Sequence, residues 1–174
     1  MKAEREEFNK EEWDAVMAVV KDAVKALQDY RIAEGLSLEK DLRSHIARIE
    51  ELHEMVPQYE QERIDTIKER IQAKLKELTS IEFNEERLEQ EMIYFIEKLD
   101  LSEEKVRINN HCDYFIQTLE EQEANGKKLG FISQELGREI NTMGSKANHA
   151  ELQKLVVEMK DALEKIKEQV LNAL

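Results

Sequence analysis

Apolar residues in this chain return every three or four positions almost from end to end, and little interrupts them. Trp13, Val16, Met17, Val20, Val24 and Leu27 form the first such row, the spacing of one face of an α-helix. Only five Gly and one Pro occur in 174 residues, and these are the two residue types that most readily break a helix. No segment alternates with period two over a useful length, so no sheet is expected. The fold class that follows is all-α: an extended multi-helix bundle.

Local signals divide it. Asn9 to Glu12 is a capping box that opens the first helix, and Glu34-Gly35 is expected to end it. Ser37 is placed to cap a second helix, with the stripe Leu38, Leu42, Ile46, Ile49, Leu52 and Val56. Pro57 suits the first turn of a third, with Ile64, Ile67, Ile71, Leu75 and Leu78. Together these two predict a long antiparallel hairpin over about 38–78 with wet outer faces. After a break at 79–84, Leu88, Met92, Phe95, Ile96 and Leu99 are expected to face inward. Asp100 to Glu103 reads as a capping box for a helix with Val106, His111, Phe115 and Leu119 on its inner face. Gly126 precedes a helix carrying Leu129, Ile132, Leu136 and Ile140. Gly144-Ser145-Lys146 reads as a turn, and Asn148 to Glu151 as a third capping box. The last helix shows Leu152, Val156, Met159, Leu163, Ile166 and Val170 on one face. The organisation expected is an N-terminal helix (1–36), a helical hairpin (37–80) and a C-terminal helical domain (81–174).

Charge and cysteine content exclude several classes. One Cys forms no internal disulfide, which fits a reducing cytosol. No run of about 18 apolar residues occurs, so no membrane-spanning helix is expected, and the start is too acidic for a secretory signal. The net charge is −13, placed unevenly. Residues 126–174 hold 8 Lys/Arg against 7 Asp/Glu, whereas residues 1–125 hold 18 against 32. Charge alone argues against nucleic acid for the first 125 residues, because phosphate binding needs cations.

Standard catalytic signatures are missing: no Gly-rich phosphate loop, no paired-Cys zinc site, no HExxH. A lone Glu-x-x-His, Glu50 to His53, falls short of the two such pairs and two further Glu of a di-iron bundle. Glu135 and Glu139 share a helix face, with Arg138 beside them. Glu104, Arg107 and His111 share another, and Glu91 lies on the preceding helix. If these helices converge, their carboxylate oxygens suit a hard divalent cation next to phosphate-gripping cations. The plainer reading is also open. In a chain with 37% charged residues such pairs arise by chance and are usually solvated ion pairs. His111 then reads as a hydrogen-bonded core residue, Cys112 as a small buried hydrophobe, and the Met and Phe positions as core.

The string Gly126-Lys127-Lys128-Leu129, Phe131, Gln134-Glu135-Leu136, Arg138-Glu139, Asn141-Thr142, Gly144-Ser145-Lys146-Ala147, Glu151 and Val156 resembles the YicC family of bacterial proteins. So do Arg87 to Glu91, Asp100 to Glu104, Arg107 and His111, and the earlier Arg31, Glu34-Gly35, Leu38 and Asp41-Leu42. The resemblance spans roughly 15–174. Family members begin with a further domain of mixed helix and strand, opening on a Ser-Met-Thr-Gly-type sequence. Nothing like it is present, so the chain is expected to be the C-terminal portion of such a protein.

The resemblance implies a cytoplasmic, stress-linked endoribonuclease that uses a divalent metal, manganese or magnesium. It also implies a homo-oligomer, a hexamer, that closes around RNA; DNA is not expected as a partner. Ranked by chemistry, the matching positions give Glu91, Glu135 and Glu139 to the metal. Arg87, Arg107, Arg138 and Lys146 would contact RNA phosphate. His111 would act as acid or base, oriented by Glu104, with Glu135 and Glu139 completing the catalytic set. Two alternatives are a non-catalytic oligomerisation and RNA-clamping segment, and a helical adaptor that binds proteins through an exposed apolar strip on 38–78.

Overall fold

A computed structural model describes residues 9–77, 85–121 and 125–171; the side chains of residues 75–77, 85–88 and 91 lie outside that description. Six helices follow one another: α1 (Lys10–Glu54), α2 (Pro57–Glu77), α3 (Glu85–Leu99), α4 (Ser102–Leu119), α5 (Gly126–Lys146) and α6 (Ala150–Val170). No strand occurs among the described residues, so the protein is all-α.

The largest departure from expectation is at Gly35, where no helix ends: α1 runs through it for 45 residues. Gly35 keeps a negative φ. A single interior Gly costs about 1 kcal/mol, and the neighbours Ala33, Glu34, Leu36, Glu39 and Lys40 are good helix formers that outweigh it. The start of α1 is as expected. The Asn9 amide donates to Glu12 Oε2 at 3.1 Å and the Glu12 amide donates to Asn9 Oδ1 at 2.8 Å.

The chain divides into two units, residues 1–40 and 41–174. In the first, the row Trp13, Val16, Val20, Val24 and Leu27 is exposed. In the second, α5 is the central helix, packed against α4 and α6. Its buried face carries Leu129, Ile132, Leu136, Ile140 and Met143, and it meets Leu152, Val156, Met159, Leu163 and Ile166 of α6, every one buried. Gly144 permits the close approach. A Cβ there would sit 2.9 Å from Val156 Cγ1.

Leu42, Ile46, Ile49, Leu52 and Val56 are buried in the same unit, as are Ile67 and Arg63 of α2. Helices α1 and α2 meet at the short turn Met55-Val56. Their long-range bonds reach the C-terminal helices: Arg43 to Glu120 at 3.2 Å, Arg48 to Glu158, and Lys105 to Glu60 at 2.8 Å. Of the apolar strip that an adaptor would present on 38–78, Leu42, Ile46, Ile49, Leu52, Val56 and Ile67 are inside and Leu38, Ile64 and Ile71 are half-buried, while the side chains of Leu75 and Leu78 lie outside the described residues.

Other local expectations need correction. Phe95 and Phe131 are exposed rather than core. On α4 the buried positions are Glu104, Ile108, Cys112, Phe115 and Thr118, and Val106 faces out. Glu104 and Thr118 are polar, so an apolar row alone misplaces that face. Asp100 gives α4 no cap; Ser102 Oγ donates to its Oδ1 at 2.9 Å. The cap of α6 is His149, whose Nδ1 accepts from the Leu152 amide at 3.4 Å, with Asn148 before it at φ 31. Gly144 to Lys146 form the last turn of α5 rather than a loop.

Candidate functional site

Of the polar positions singled out by sequence, Glu104, Arg107 and His111 lie on α4 and Glu135, Arg138, Glu139 and Lys146 on α5. These helices run antiparallel, so the start of α4 faces the end of α5. Glu104 is 4% exposed, and its Oε1 accepts from Lys146 Nζ at 2.8 Å. Lys146 Nζ also donates to the Asp100 carbonyl at 3.0 Å. Glu104 Oε2 is buried without a partner among the described residues. A buried carboxylate with one oxygen unpaired is costly, and it keeps an acceptor in reserve for a further donor or cation. Glu104 thus holds Lys146 and makes no bond to His111, the residue it was expected to orient.

One turn along α4, Arg107 lies between Glu103 of its own helix, at 2.9 Å, and Glu139 of α5, at 3.5 Å. Glu139 is only 12% exposed there. His111 follows on the same side of α4, half-buried. Glu135 is half-buried and pairs with Arg138 at 2.7 Å, within α5. The structure therefore brings Glu104 to Lys146 and Arg107 to Glu139, and leaves the Glu135–Arg138 pair local. Arg87 and Glu91 sit within α3, but their side chains lie outside the described residues.

The carboxylate set can be tested against a divalent metal. Hard oxygen donors on one face of α5 are the right chemistry, and Glu135 and Glu139 supply two of them. Both are engaged by arginines, and the third expected ligand, Glu91, lies outside the described side chains. Among the described residues no group of three or more His, Cys, Asp or Glu is placed to hold a metal.

Sequence reasoning missed Arg63. This α2 guanidinium is 3% exposed. Its Nη2 donates to the Leu99 carbonyl at 2.7 Å and its Nη1 to the Lys146 carbonyl at 3.2 Å. It fastens the end of α3 to the end of α5, and so fixes the backbone that carries Lys146. Burial pulls its pKa below the ordinary arginine value, with Glu60 and Asp100 opposing. The available signal was a cation one turn from Ile67 on the apolar stripe of α2.

A second polar group lies between α1 and α4, where Glu50, Glu54, Asn109 and Asp113 line a pocket. Burial, then Asp113 and Glu54, raise the Glu50 pKa. Cys112 is buried, and desolvation pushes its thiol up to about 12, so it is inert as a nucleophile. His53 is buried, with Nε2 unpartnered among the described residues; burial, then Lys105, lower its pKa.

An all-helical protein with cations and carboxylates alternating along one helix junction is the class these observations define. Residues 56–173 match the family described as endoribonuclease YicC-like, C-terminal. Two curated relatives are each named probable endoribonuclease YicC. The one from Clostridioides difficile is 33% identical over 172 residues, covering 97% of this chain and 58% of that protein. The one from Haemophilus influenzae is 39% identical over 87 residues, 50% of this chain and 30% of that protein. The chain belongs to the YicC-like family, and it spans 58% or less of the length of these relatives. No helix among the described residues is long and apolar enough to cross a membrane.

Proposed function

We propose that this chain is the helical part of an endoribonuclease and that the α4–α5 junction contacts the scissile phosphate of RNA. The observation that carries this reading is Arg107, a half-exposed guanidinium held between Glu103 and Glu139, with His111 one turn away. The names of the two relatives support the same class of substrate.

Phosphodiester cleavage needs a base for the attacking oxygen, positive charge at phosphorus and an acid for the leaving oxygen. Arg107 is placed to exchange a carboxylate for a phosphate, and Arg138, Lys146 and Arg87 are the further phosphate contacts in this reading. His111 moves the proton. Glu104 positions Lys146, and through it the phosphate. Glu91, Glu135 and Glu139 would hold manganese or magnesium, which supplies charge neutralisation and activation of the attacking oxygen. Self-association belongs to the same proposal. The four- and three-residue spacing of Trp13, Met17, Val20, Val24 and Leu27 is that of a coiled-coil seam, and light scattering gives the copy number.

The test is incubation of the chain with a labelled hairpin RNA and manganese, alongside Glu135→Gln and His111→Ala. Cleavage by the parent and its loss in both variants is expected. Equal cleavage by all three ends the assignment. A second reading, a non-catalytic RNA clamp, is favoured by one observation: Glu135 and Glu139, the carboxylates assigned to the metal, are each paired with an arginine. It predicts binding without cleavage in the same assay.

A further inference from the structure

Beyond Arg107, the α4–α5 junction carries two exposed rings that the proposed chemistry leaves unused. Phe131 is 57% exposed and Tyr114 is 45% exposed. Neither ring is needed by the core, whose apolar residues on α5 occupy the opposite face. Lys128, Phe131, Glu135 and Arg138 are spaced three, four and three apart, so they share the outer face of α5. On α4, Arg107, His111 and Tyr114 are spaced four and three apart and form a parallel row. The two helices are in contact near both ends of these rows. Arg107 reaches Glu139 at 3.5 Å, and Lys128 Nζ lies 5.0 Å from the centroid of the Tyr114 ring. The same Nζ donates to Glu121 at 2.7 Å, which holds it beside the ring.

Charge separates the candidate partners. Helix α5 carries Lys127, Lys128, Arg138 and Lys146 against only Glu135 and Glu139, in a chain of net charge −13. A polyanion is drawn to this helix in preference to the rest of the surface. A protein-docking strip would be continuously apolar, whereas the neighbours of Phe131 on its own face are charged. Exposed rings interleaved with cations are what a single-stranded nucleic acid needs: a flat face for each base and a positive group for the phosphate between.

We infer that the α4–α5 junction is a track for single-stranded RNA, with one base stacked on Tyr114 and one on Phe131, and Lys128 and Arg138 on the backbone. This rests on the reading that the chain contacts RNA, and it adds the part of the substrate recognised: unpaired bases beside the cut.

The test is fluorescence anisotropy of a short labelled 2′-O-methyl oligoadenosine, which resists cleavage through the 2′-oxygen, in magnesium buffer at low salt. The proteins are the parent chain, Tyr114→Ala, Phe131→Ala, Tyr114→Phe, Phe131→Tyr and Lys128→Ala, with Val157→Ala on exposed α6 as control. Each alanine at a ring should weaken binding roughly 5- to 150-fold, and the aromatic replacements should restore it. Lys128→Ala should lower the salt dependence by about 0.7 in the log–log slope, while the ring variants leave that slope unchanged. Helicity by circular dichroism should match the parent throughout. Parental binding that is indifferent to both rings overturns this inference and leaves the RNA reading standing. No binding by the parent overturns both. Loss of self-association or of a protein contact in the ring variants, with RNA binding intact, gives the surface to a protein and overturns the inference.

Discussion

Arg63 joins three chain segments through one buried side chain, whose Nη1 and Nη2 are bonded while its Nε has no partner among the described residues. Two of its nitrogens reach carbonyls at the ends of α3 and α5, places where helices leave acceptors unpaired. Arg63→Met should destabilise the protein by roughly 2–4 kcal/mol, because two carbonyls lose charged donors and become buried and unpaired. Arg63→Lys should recover only part, since an ammonium lacks the fork that spans both acceptors. Urea unfolding measures each. His53 makes a pH prediction. Burial and Lys105 lower its folded-state pKa below the ordinary value of about 6.5, so folding favours the neutral ring. That contribution is complete above about pH 6.5 and is lost as pH falls through the depressed folded value. The stability advantage of the parent over His53→Gln should therefore shrink on acidification from about pH 7 to 5. A pH-independent difference would show that the ring is not held neutral.

At the scale of elements, the glycines of α1 and α5 behave in opposite ways for a steric reason. Around Gly35 nothing lies within 4 Å of an added Cβ, so Gly35→Ala should stabilise α1 by about 0.5–1 kcal/mol. Hydrogen exchange of the α1 amides should slow by roughly 2- to 5-fold. Gly144→Ala meets Val156 Cγ1 at 2.9 Å and should cost about 1–3 kcal/mol by forcing α6 away, read as a lowered unfolding midpoint. These two cases also mark how far local pattern reaches. The faces of α5 and α6 were legible because every buried apolar residue fell on the three-four rhythm. The face of α4 was not, because Glu104 and Thr118 hold buried places in it. The cap on α6 was legible as a capping segment but one residue late, because a histidine nitrogen serves as the acceptor.

For the whole molecule, a net charge of −13 works against any polyanion, and RNA contact depends on where the cations lie. Divalent cations should strengthen RNA binding by neutralising the acidic face, and EDTA should abolish most of it, both measured by filter binding. Binding that ignores EDTA would remove the metal from the proposal. The affinity should fall only shallowly with salt, since few phosphate contacts release few counterions and salt also screens the long-range repulsion. What was legible of the candidate site was the helix face of several of its residues, and not the bonds they make. Sequence spacing placed Glu104, Arg107 and His111 on one face of α4, and Glu135 and Glu139 on one face of α5. It could not show that Lys146 reaches Glu104, or that Arg107 bridges to Glu139.

The sequence by itself determined that the chain is helical, where α5 and α6 turn their apolar faces, and which family it belongs to. These follow from periodicity and from motifs read within a few residues of one another, where chain geometry permits only a few outcomes. Tertiary structure alone decided that Gly35 does not end a helix, that Arg63 is inside, that Phe131 is outside, and that Tyr114 is outside beside Lys128. Each depends on which distant helix covers a given face. The free energy of burying or exposing a side chain is set by those neighbours, and a one-dimensional pattern does not contain them.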